Sequence, residues 1–446
     1  MTTLQERPAA PRPGVRPRVV GRTGLYAVLL ANAVVVTVFF VQAGFASNTL
    51  IVLGRLAGLY GALLMAFQLL LVARLPWFDR RIGMDRLTSW HRWTGFSVLW
   101  LLLAHAVFIV FGYAQSSSLD PVNQLVDLAE TVEGVLRAIT ALAIIIVVGA
   151  VSARSARRRL AYETWHFIHL YTYVAVVLAF THQVAAGTSF TSSSVARTYW
   201  YAVWGVALAA VFTGRLVLPL WRNLRHRLRV TAVVPENDDV VSVYITGRDL
   251  DRLPARAGQF FLWRFLTRDR WWQANPFSLS AAPDGRTLRL TVKRAGEGSA
   301  ALRHLKAGTR VFAEGPYGAF TTLHRTRPDA LLIAGGVGVT PIRALLEELD
   351  GHAVVIYRVA TDRDAVLYDE LRELALAKEA ELHLVTGPAL PDRLAPQELA
   401  RLVPDITGRD VYLCGPPPMM NAVLGSLREL GVPPTQTHFE RFSLAG

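Results

Sequence analysis

Six stretches of about twenty apolar residues, all in the first half of the chain, restrict the fold more than any other feature. Each is long enough to cross a hydrocarbon layer as a helix. They run Leu25–Gly44, Leu50–Val72, Trp93–Tyr113, Val135–Val151, Trp165–Ala186 and Tyr199–Leu220. The charges between them are sorted. The N-terminal tail and segments 74–92, 154–163 and 215–229 hold 19 arginines against four acids, Glu6, Asp79, Asp85 and Glu163. The alternate connections hold only Arg55, Arg137 and Arg197, against Asp120, Asp127, Glu130 and Glu133. Basic residues collect on the cytoplasmic side of a membrane protein. The arginine-rich side is therefore expected inside, together with the N-terminus and everything after residue 220. A soluble helical core has no reason to sort its arginines in this way. The first span lacks a clear small-residue cleavage site, which argues against a removable signal peptide.

Charge counted by halves supports the same division. The chain carries a net charge of +13 and a pI near 10.3, values that invite a nucleic-acid reading. Residues 1–229 hold 22 basic and 8 acidic residues, whereas residues 230–446 hold 25 and 26. The excess belongs to the apolar half, so the expected partner is a lipid bilayer and no nucleic acid. With 52% hydrophobic residues the chain is not disordered as a whole. Its single cysteine, Cys414, excludes a disulfide framework and any metal site needing several thiolates. Residues 1–22 are expected to be a disordered cytoplasmic tail, and residues 23–222 a six-span bundle.

Ionisable side chains inside spans are costly and point to function. The third span region carries His91 and His105; the fifth carries His166, His169 and His182. At about 1.5 Å per residue, the separations of 14 and 13 residues span roughly 20 Å on each helix. Both helices run from inside to outside, so His91 levels with His169 and His105 with His182. Two facing imidazoles at each of two depths suit two b-type haems. Fourteen positions return to within about 40° of one helical face, but thirteen miss by about 140°. The fifth helix thus needs a bulge, a kink or a long side-chain reach. His166 competes as the inner partner, with a gap of 16 residues to His182.

His91-Arg92 with His105, and Tyr162-Glu-Thr-Trp-His-Phe-Ile-His169-Leu with His182, resemble the ferric reductase and NADPH oxidase transmembrane domain across all six spans. The resemblance selects His169 over His166. It implies two bis-histidine haems, with His91, His105, His169 and His182 as the iron ligands. In the oxidases a further histidine lies four residues beyond the outer ligand of the third helix; here that position is Ile109. Arg55, near the outer face, suits a haem propionate or an anionic acceptor, and equally suits snorkelling to the interface.

From about Leu228 the pattern changes to short alternating strands, as in Val240-Val-Ser-Val-Tyr-Ile and Thr287-Leu-Arg-Leu-Thr-Val. Such spacing predicts an antiparallel β-barrel over residues 228–326. After Pro328, apolar runs alternate with helices, predicting a doubly wound α/β domain over 328–446. Asn275-Pro-Phe-Ser-Leu-Ser280 resembles the flavin motif of the ferredoxin–NADP reductase superfamily, especially its oxidase variant. The resemblance implies FAD, bound through Asn275, Pro276, Phe277 and Ser278, with Phe277 packed on the isoalloxazine and Ser278 facing its N5. Asn275 stands where the family has Arg or His, so Lys293 or Arg294 is expected to replace a charge contact to the diphosphate. Gly296-Glu-Gly298-Ser299 precedes a helix, and Ser299 is expected to cap it and offer amides to the FAD pyrophosphate with Gly298.

Gly335-Gly336-Val-Gly338-Val-Thr340-Pro341 follows a buried strand and opens a helix, with Thr340 able to cap and Pro341 suited to the first turn. In the family this turn receives the nicotinamide dinucleotide pyrophosphate. Cys414-Gly415-Pro416 matches the loop beside the nicotinamide, and Glu440-Arg-Phe442 resembles the terminal motif whose aromatic covers the flavin. Arg358, ending the second strand of this fold, is placed to meet a 2′-phosphate, with Arg363 as a second candidate, which favours NADPH over NADH. The expected protein is a multi-pass membrane oxidoreductase with a cytoplasmic dehydrogenase module. It takes electrons from NAD(P)H and reduces an extracytoplasmic acceptor: a ferric complex, dioxygen or a redox protein docking on the outer loop 112–134.

Overall fold

The computed structural model describes residues 17–157, 159–160, 162–387 and 394–441. It divides into two compact units, one formed by 22–75 with 85–215, the other by 76–84 with 216–446 and the residues before 22.

The first unit is the helical bundle. Six helices are long and apolar enough to cross a membrane: Thr23–Gln42, Thr49–Leu71, Arg86–Ser117, Val135–Ser152, Thr164–Ala186 and Ser194–His226. Residues 17–22, inside the stretch expected to be a disordered tail, are helical. Caps set other boundaries: Asn48 accepts from Leu50 N at 2.8 Å, and Ser193 accepts from Ala196 N at 3.4 Å. The connection 112–134, expected as a loop on the outer side, is mostly helix. Helix Met84–Ser117 runs into it, and helix Pro121–Thr131 follows, started by Asp120, which accepts from the amides of Val122 and Asn123. These amides hold the Asp120 carboxyl below its ordinary range.

Close helix approach in the bundle depends on small residues. A Cβ on Gly54 would lie 2.9 Å from Ile109, on Gly61 3.1 Å from Leu102, and on Gly58 2.5 Å from His105 Nδ1. The fifth span is interrupted as its histidine spacing requires. Helix Tyr162–Leu170 stops, and helix Thr172–Ala186 resumes after Tyr171, whose amide bonds back only three residues to Ile168 O. The break falls between His169 and His182.

The second unit begins with a barrel of two three-stranded antiparallel sheets. Strands β1 (Arg229–Pro235), β2 (Val240–Thr246) and β5 (Thr287–Lys293) form one, in the order β1-β2-β5. Strands β4 (Asn275–Ser278), β3 (Phe260–Phe265) and β6 (Val311–Tyr317) form the other, in the order β4-β3-β6. Alternate residues such as Val243, Ile245, Trp263 and Leu290 fill the space between them. A five-stranded parallel sheet follows, ordered β11 (Thr437–Glu440), β10 (Asp410–Cys414), β7 (Ala330–Gly335), β8 (Ala353–Val359), β9 (Glu381–Thr386). Its central strands are buried on both faces, as continuous apolar runs such as Leu331–Ala334 demand.

Two membrane-flanking segments belong to this unit and hold β6. In helix Pro76–Ile82, buried Asp79 accepts from Gly318 N at 2.6 Å. In helix Leu218–His226, Asn223 accepts from Ala313 N and donates to Ala313 O, both at 2.8 Å, while Arg222 donates to Gly315 O.

Candidate redox sites

The four histidines meet in the two pairs expected from their depths. The ring centroids of His91 and His169 are 5.9 Å apart, and those of His105 and His182 are 6.4 Å apart. Imidazoles gripping one metal from opposite sides, with bonds of about 2 Å, place their centroids roughly 6 Å apart. His105 Nδ1 lies 2.8 Å from Gly54 O, which fixes this nitrogen as the donor and leaves Nε2 as the lone pair. The buried Nδ1 atoms of His91, His169 and His182 have no hydrogen-bond partner. Trp165 stacks on His169 with centroids 5.1 Å apart. Among the described residues no three His, Cys, Asp or Glu gather around a common point. A pair of imidazoles supplies only two ligands, so the donor set fits a metal whose other ligands come from a macrocycle.

Arg55 donates to Gly44 O at 3.1 Å and lies 5.3 Å from the centre of the Phe40 ring, while its buried Nε and Nη2 are unpartnered.

In the barrel, the Asn275–Ser278 motif forms β4 and pairs with β3, so that Phe277 faces Phe261 and Pro276 faces Leu262 in register. Ser278 is buried and Phe277 half-buried. Trp263 Nε1 donates to Phe277 O at 3.0 Å, fixing the strand. Asn275 reaches only the carbonyls of Trp263 and Gln273, both at 3.5 Å. A cleft of about 280 Å³ runs beside it, lined by Asn275, Gln273, Gly298 and His304. A Cβ on Gly298 would stand 3.3 Å from Gln273 Oε1 and 3.5 Å from Asn275 Oδ1, so the glycine turn and the motif strand face each other.

Ser299 corrects its expected role as a cap. The short helix is Glu297–Ala300, Gly296 is its cap residue, and Ser299 is its third residue. Its Oγ accepts from Ala295 N at 2.8 Å and Gly296 N at 3.1 Å. Lys293 ends β5 and is exposed, whereas Arg294 is paired with Asp239 at 2.6 Å.

The nucleotide turn is built from backbone. Gly335 ends β7, Gly336 takes φ +52°, and helix Val339–Glu348 starts behind Gly338. A Cβ on Gly335 would lie 2.4 Å from Met419 Sδ and 2.8 Å from Pro416 Cδ; one on Gly338 would lie 2.3 Å from Cys414 O. Gly415 packs against Gly335 in return, its Cβ position 3.1 Å from Gly335 Cα. The turns after β7 and β10 thus touch through main chain at the C-terminal ends of adjacent strands, where open α/β sheets bind ligands. Thr340 is not a cap. It lies inside the helix, as Pro341 does, and its hydroxyl donates to Val337 O at 3.0 Å.

Cys414 is fully buried, and burial pushes its thiol well above its ordinary pKa, with nearby Glu440 adding to the rise. It pairs in register with Glu440 at the end of β11. Glu440 Oε2 lies 3.7 Å from the Cβ position of Gly318. Arg358 Nη2 donates to Gly387 O at 3.0 Å, and Arg363 stands exposed in the turn after β8. Phe442 lies outside the described residues.

Sequence reasoning missed the side chains that join the barrel to the nucleotide domain. Arg289, Arg343, Glu347 and Glu370 converge on Ser280 and Ala282. Nothing in spacing signals a contact between positions up to 81 residues apart.

A bundle with paired histidines, joined to a flavin-type barrel and a dinucleotide-type sheet, defines the class of membrane-bound electron-transfer oxidoreductases. Residues 57–180 match the family model for the ferric reductase like transmembrane component, and residues 332–424 match the oxidoreductase NAD-binding domain. The chain belongs to the ferredoxin-reductase-type oxidoreductases and carries, in the same polypeptide, a ferric reductase-like transmembrane component. It is 30% identical over 232 residues to the toluate 1,2-dioxygenase electron transfer component of Pseudomonas putida, covering 49% of this chain and 68% of that protein. It is 35% identical over 238 residues to the ferredoxin reductase component of 3-ketosteroid-9-alpha-monooxygenase from Mycobacterium tuberculosis (strain CDC 1551 / Oshkosh), covering 48% of this chain. The chain spans 64% of the length of that relative. Among solved structures, the FAD/NAD-binding domain of nitric oxide dioxygenase from Vibrio cholerae is 27% identical, with a TM-score of 0.42, covering 49% of this chain and 98% of that one.

Proposed function

We propose that this chain is a transmembrane NAD(P)H oxidoreductase that conveys electrons from a cytoplasmic dihydronicotinamide, by way of FAD and two b-type haems, to an acceptor beyond the membrane. The observation that carries the reading is the meeting of four histidines in two facing pairs within the bundle. His91 and His169 are assigned to the haem nearer the arginine-rich side, and His105 and His182 to the outer one. When bound, the flavin supplies two-electron acceptance and the haems single-electron carriage, and that chemistry belongs to the cofactors.

The chain's own residues bind, orient and insulate. Phe277 packs against the flavin ring and Ser278 offers its hydroxyl at N5. The amides of Gly298 and Ser299 receive the FAD pyrophosphate, with Asn275 and Lys293 alongside. Main chain from Gly335 to Gly338, together with the helix start at Thr340 and Pro341, receives the nicotinamide dinucleotide pyrophosphate. The Cys414-Gly415-Pro416 turn lies beside the nicotinamide, with Cys414 as a neutral, uncharged wall. Glu440 and Phe442 close the flavin site. Arg358 meets the 2′-phosphate of NADPH. The domains are assigned as a tail over 1–22, the haem bundle over 23–222, the FAD barrel over 228–326 and the nucleotide domain over 328–446. The protein resides in the cell membrane with both termini and the dehydrogenase module inside, as the arginine distribution supports.

The acceptor is assigned as a ferric complex or a similar small oxidant. Ile109 packs on Gly54, so the place of the oxidases' extra histidine is taken by a helix contact. A docked redox protein is a second reading, favoured by the outer helix Pro121–Thr131, where acids lie beside exposed Val122 and Val126. In membranes reduced anaerobically with NADPH, ferric chelate is expected to reoxidise the haem within seconds. Superoxide formed in proportion to NADPH consumed would instead establish an oxidase. Slow reoxidation by both, restored by a cationic redox protein, would establish the docking reading.

A further inference from the structure

One of the polar junctions between the barrel and the nucleotide domain is built on Ser280, the last residue of the flavin motif. Ser280 ends that motif two residues after Ser278 and is fully buried. Its amide donates to Arg289 O at 2.8 Å. Its carbonyl accepts from two guanidinium groups: Arg289 Nη2 at 3.0 Å and Arg343 Nη1 at 3.1 Å. Arg289 belongs to β5 of the barrel, and its Nε also donates to Ser280 Oγ at 3.1 Å. Arg343 belongs to helix Val339–Glu348, whose first turn follows the glycine turn. One carboxylate holds both cations. Glu370, from helix Tyr368–Ala377, receives Arg289 Nη1 at 2.9 and 2.8 Å and Arg343 Nε at 2.9 Å. Glu347 adds a contact on the same helix as Arg343, accepting from Arg343 at 2.9 Å and from Ala282 N at 2.7 Å.

Arg289 is only 6% exposed, whereas the Glu370 side chain is 38% exposed, so the pair is shielded from water on the arginine's side alone. Arg289 meets both Glu370 oxygens through Nη1 and keeps Nη2 and Nε for Ser280, while Arg343 meets Glu370 through Nε and Ser280 through Nη1, so the carboxylate fixes how each planar group is turned. Both arginines therefore aim at Ser280 because Glu370 orients them. Removing the carboxylate's charge leaves two guanidinium groups crowded on one carbonyl without their common counterion.

We infer that Glu370 is a positioning residue for hydride transfer: by orienting Arg289 and Arg343 onto Ser280 O, it sets the nucleotide-binding helix against the flavin strand. The inference rests on the NAD(P)H–FAD reading above. In the step concerned, the C4–H bond of the dihydronicotinamide breaks and its proton with two electrons forms the new N5–H bond of the flavin. The nicotinamide is oxidised and the flavin reduced, with no other reactant. A displacement of about 1 Å at such a step is worth about a hundredfold in rate, whereas the glycine turn, which precedes the helix and is made of main chain, loses no contact to the dinucleotide, so binding there is expected to hold.

The test uses the full chain in detergent, loaded with FAD, mixed anaerobically with NADPH and followed by flavin bleaching in a single turnover. Glu370→Gln is expected to slow bleaching by about tenfold to a hundredfold, to enlarge the primary isotope effect with C4-deuterated NADPH, and to leave the Kd for NADP⁺ within about twofold. Arg343→Lys, which keeps the charge but cannot reach both Glu370 and Ser280, is expected to slow it similarly, and it serves also if Glu370→Gln fails to retain flavin. Glu398→Gln, which breaks an exposed ion pair with Arg401 on helix Pro396–Leu402, is expected to leave the rate within about twofold. Wild-type bleaching rates and isotope effects in folded Glu370→Gln and Arg343→Lys, with only a lower Tm, would overturn the inference. So would equal slowing by Glu398→Gln. Absence of bleaching in the wild-type protein would instead overturn the NAD(P)H–FAD reading on which the inference rests.

Discussion

The two halves of the molecule build their sites from different parts of the chain. In the bundle, the candidate ligands are four side chains, and the helices serve to bring them level. In the reductase half, the nucleotide turn is made almost wholly of main chain, and side chains matter there mostly by being absent. His105 faces His182 across a gap of 6.4 Å, whereas Gly338 tolerates no Cβ because Cys414 O would be 2.3 Å from it. A side-chain site is lost by deletion. A main-chain site is lost by addition.

The contrast can be broken most severely at the histidines. His182→Ala is expected to lower the haem content from about two per chain to about one, with flavin retained, as an extracted-haem assay against protein would show. Retention of both haems would remove His182 from the ligand set. Gly338→Ala is expected to act next most strongly. Overpacking of this kind costs about 1–3 kcal/mol, so the Kd for NADPH should rise tenfold or more, while haem and flavin contents stay unchanged in absorption spectra. A loss of haem in this variant would deny that the two halves keep separate sites.

Legibility followed the same division. Histidine depth was readable because helix rise is regular, and the two facing pairs follow from it. The angular mismatch of His169 and His182 was also readable as a demand, and the break at Tyr171 meets it. The β7 turn and the Cys414 turn were recognisable as motifs, but not as one surface, because nothing local says that Gly338 rests on Cys414 O. Ser299 and Thr340 both sit where a cap is expected from sequence, yet neither is one. Their hydroxyls bond to backbone within three or four residues instead, an alternative always open to Ser and Thr. The connection 112–134 hid its helix behind acids, although Asp120-Pro121 is a start signal in plain view. The Glu370 junction left no trace, since ion pairs between distant elements have no period.

Smaller effects sharpen the contrast within the nucleotide domain. Arg358→Ala is expected to narrow the preference for NADPH over NADH by about tenfold, measured as the ratio of kcat/KM values, and the effect should fall on NADPH alone. An equal loss with NADH would make Arg358 a strut for Gly387 rather than a phosphate contact. Smallest is the effect at Cys414. Burial raises its thiol pKa, so the neutral form persists as pH rises through the ordinary thiol range. The folded protein should therefore react with a soluble maleimide at pH 8 at less than about a hundredth of the rate of a free cysteine. The sign also fixes a stability change. With the folded pKa raised, the contribution is complete below the unfolded value and is lost as pH climbs towards the folded one. Rapid labelling of the native protein would contradict a closed strand end.

The central claim is that one chain joins a nicotinamide site to two histidine pairs across a membrane. The most direct measurement is an anaerobic absorption spectrum of the full chain in vesicles, loaded with FAD and haem, before and after NADPH. The account predicts a low-spin b-type spectrum whose bands shift to the reduced form at both sites in the wild-type protein, and at only one in His182→Ala. A chain that binds no haem, or haem bands that stay oxidised while NADPH bleaches the flavin, would contradict it.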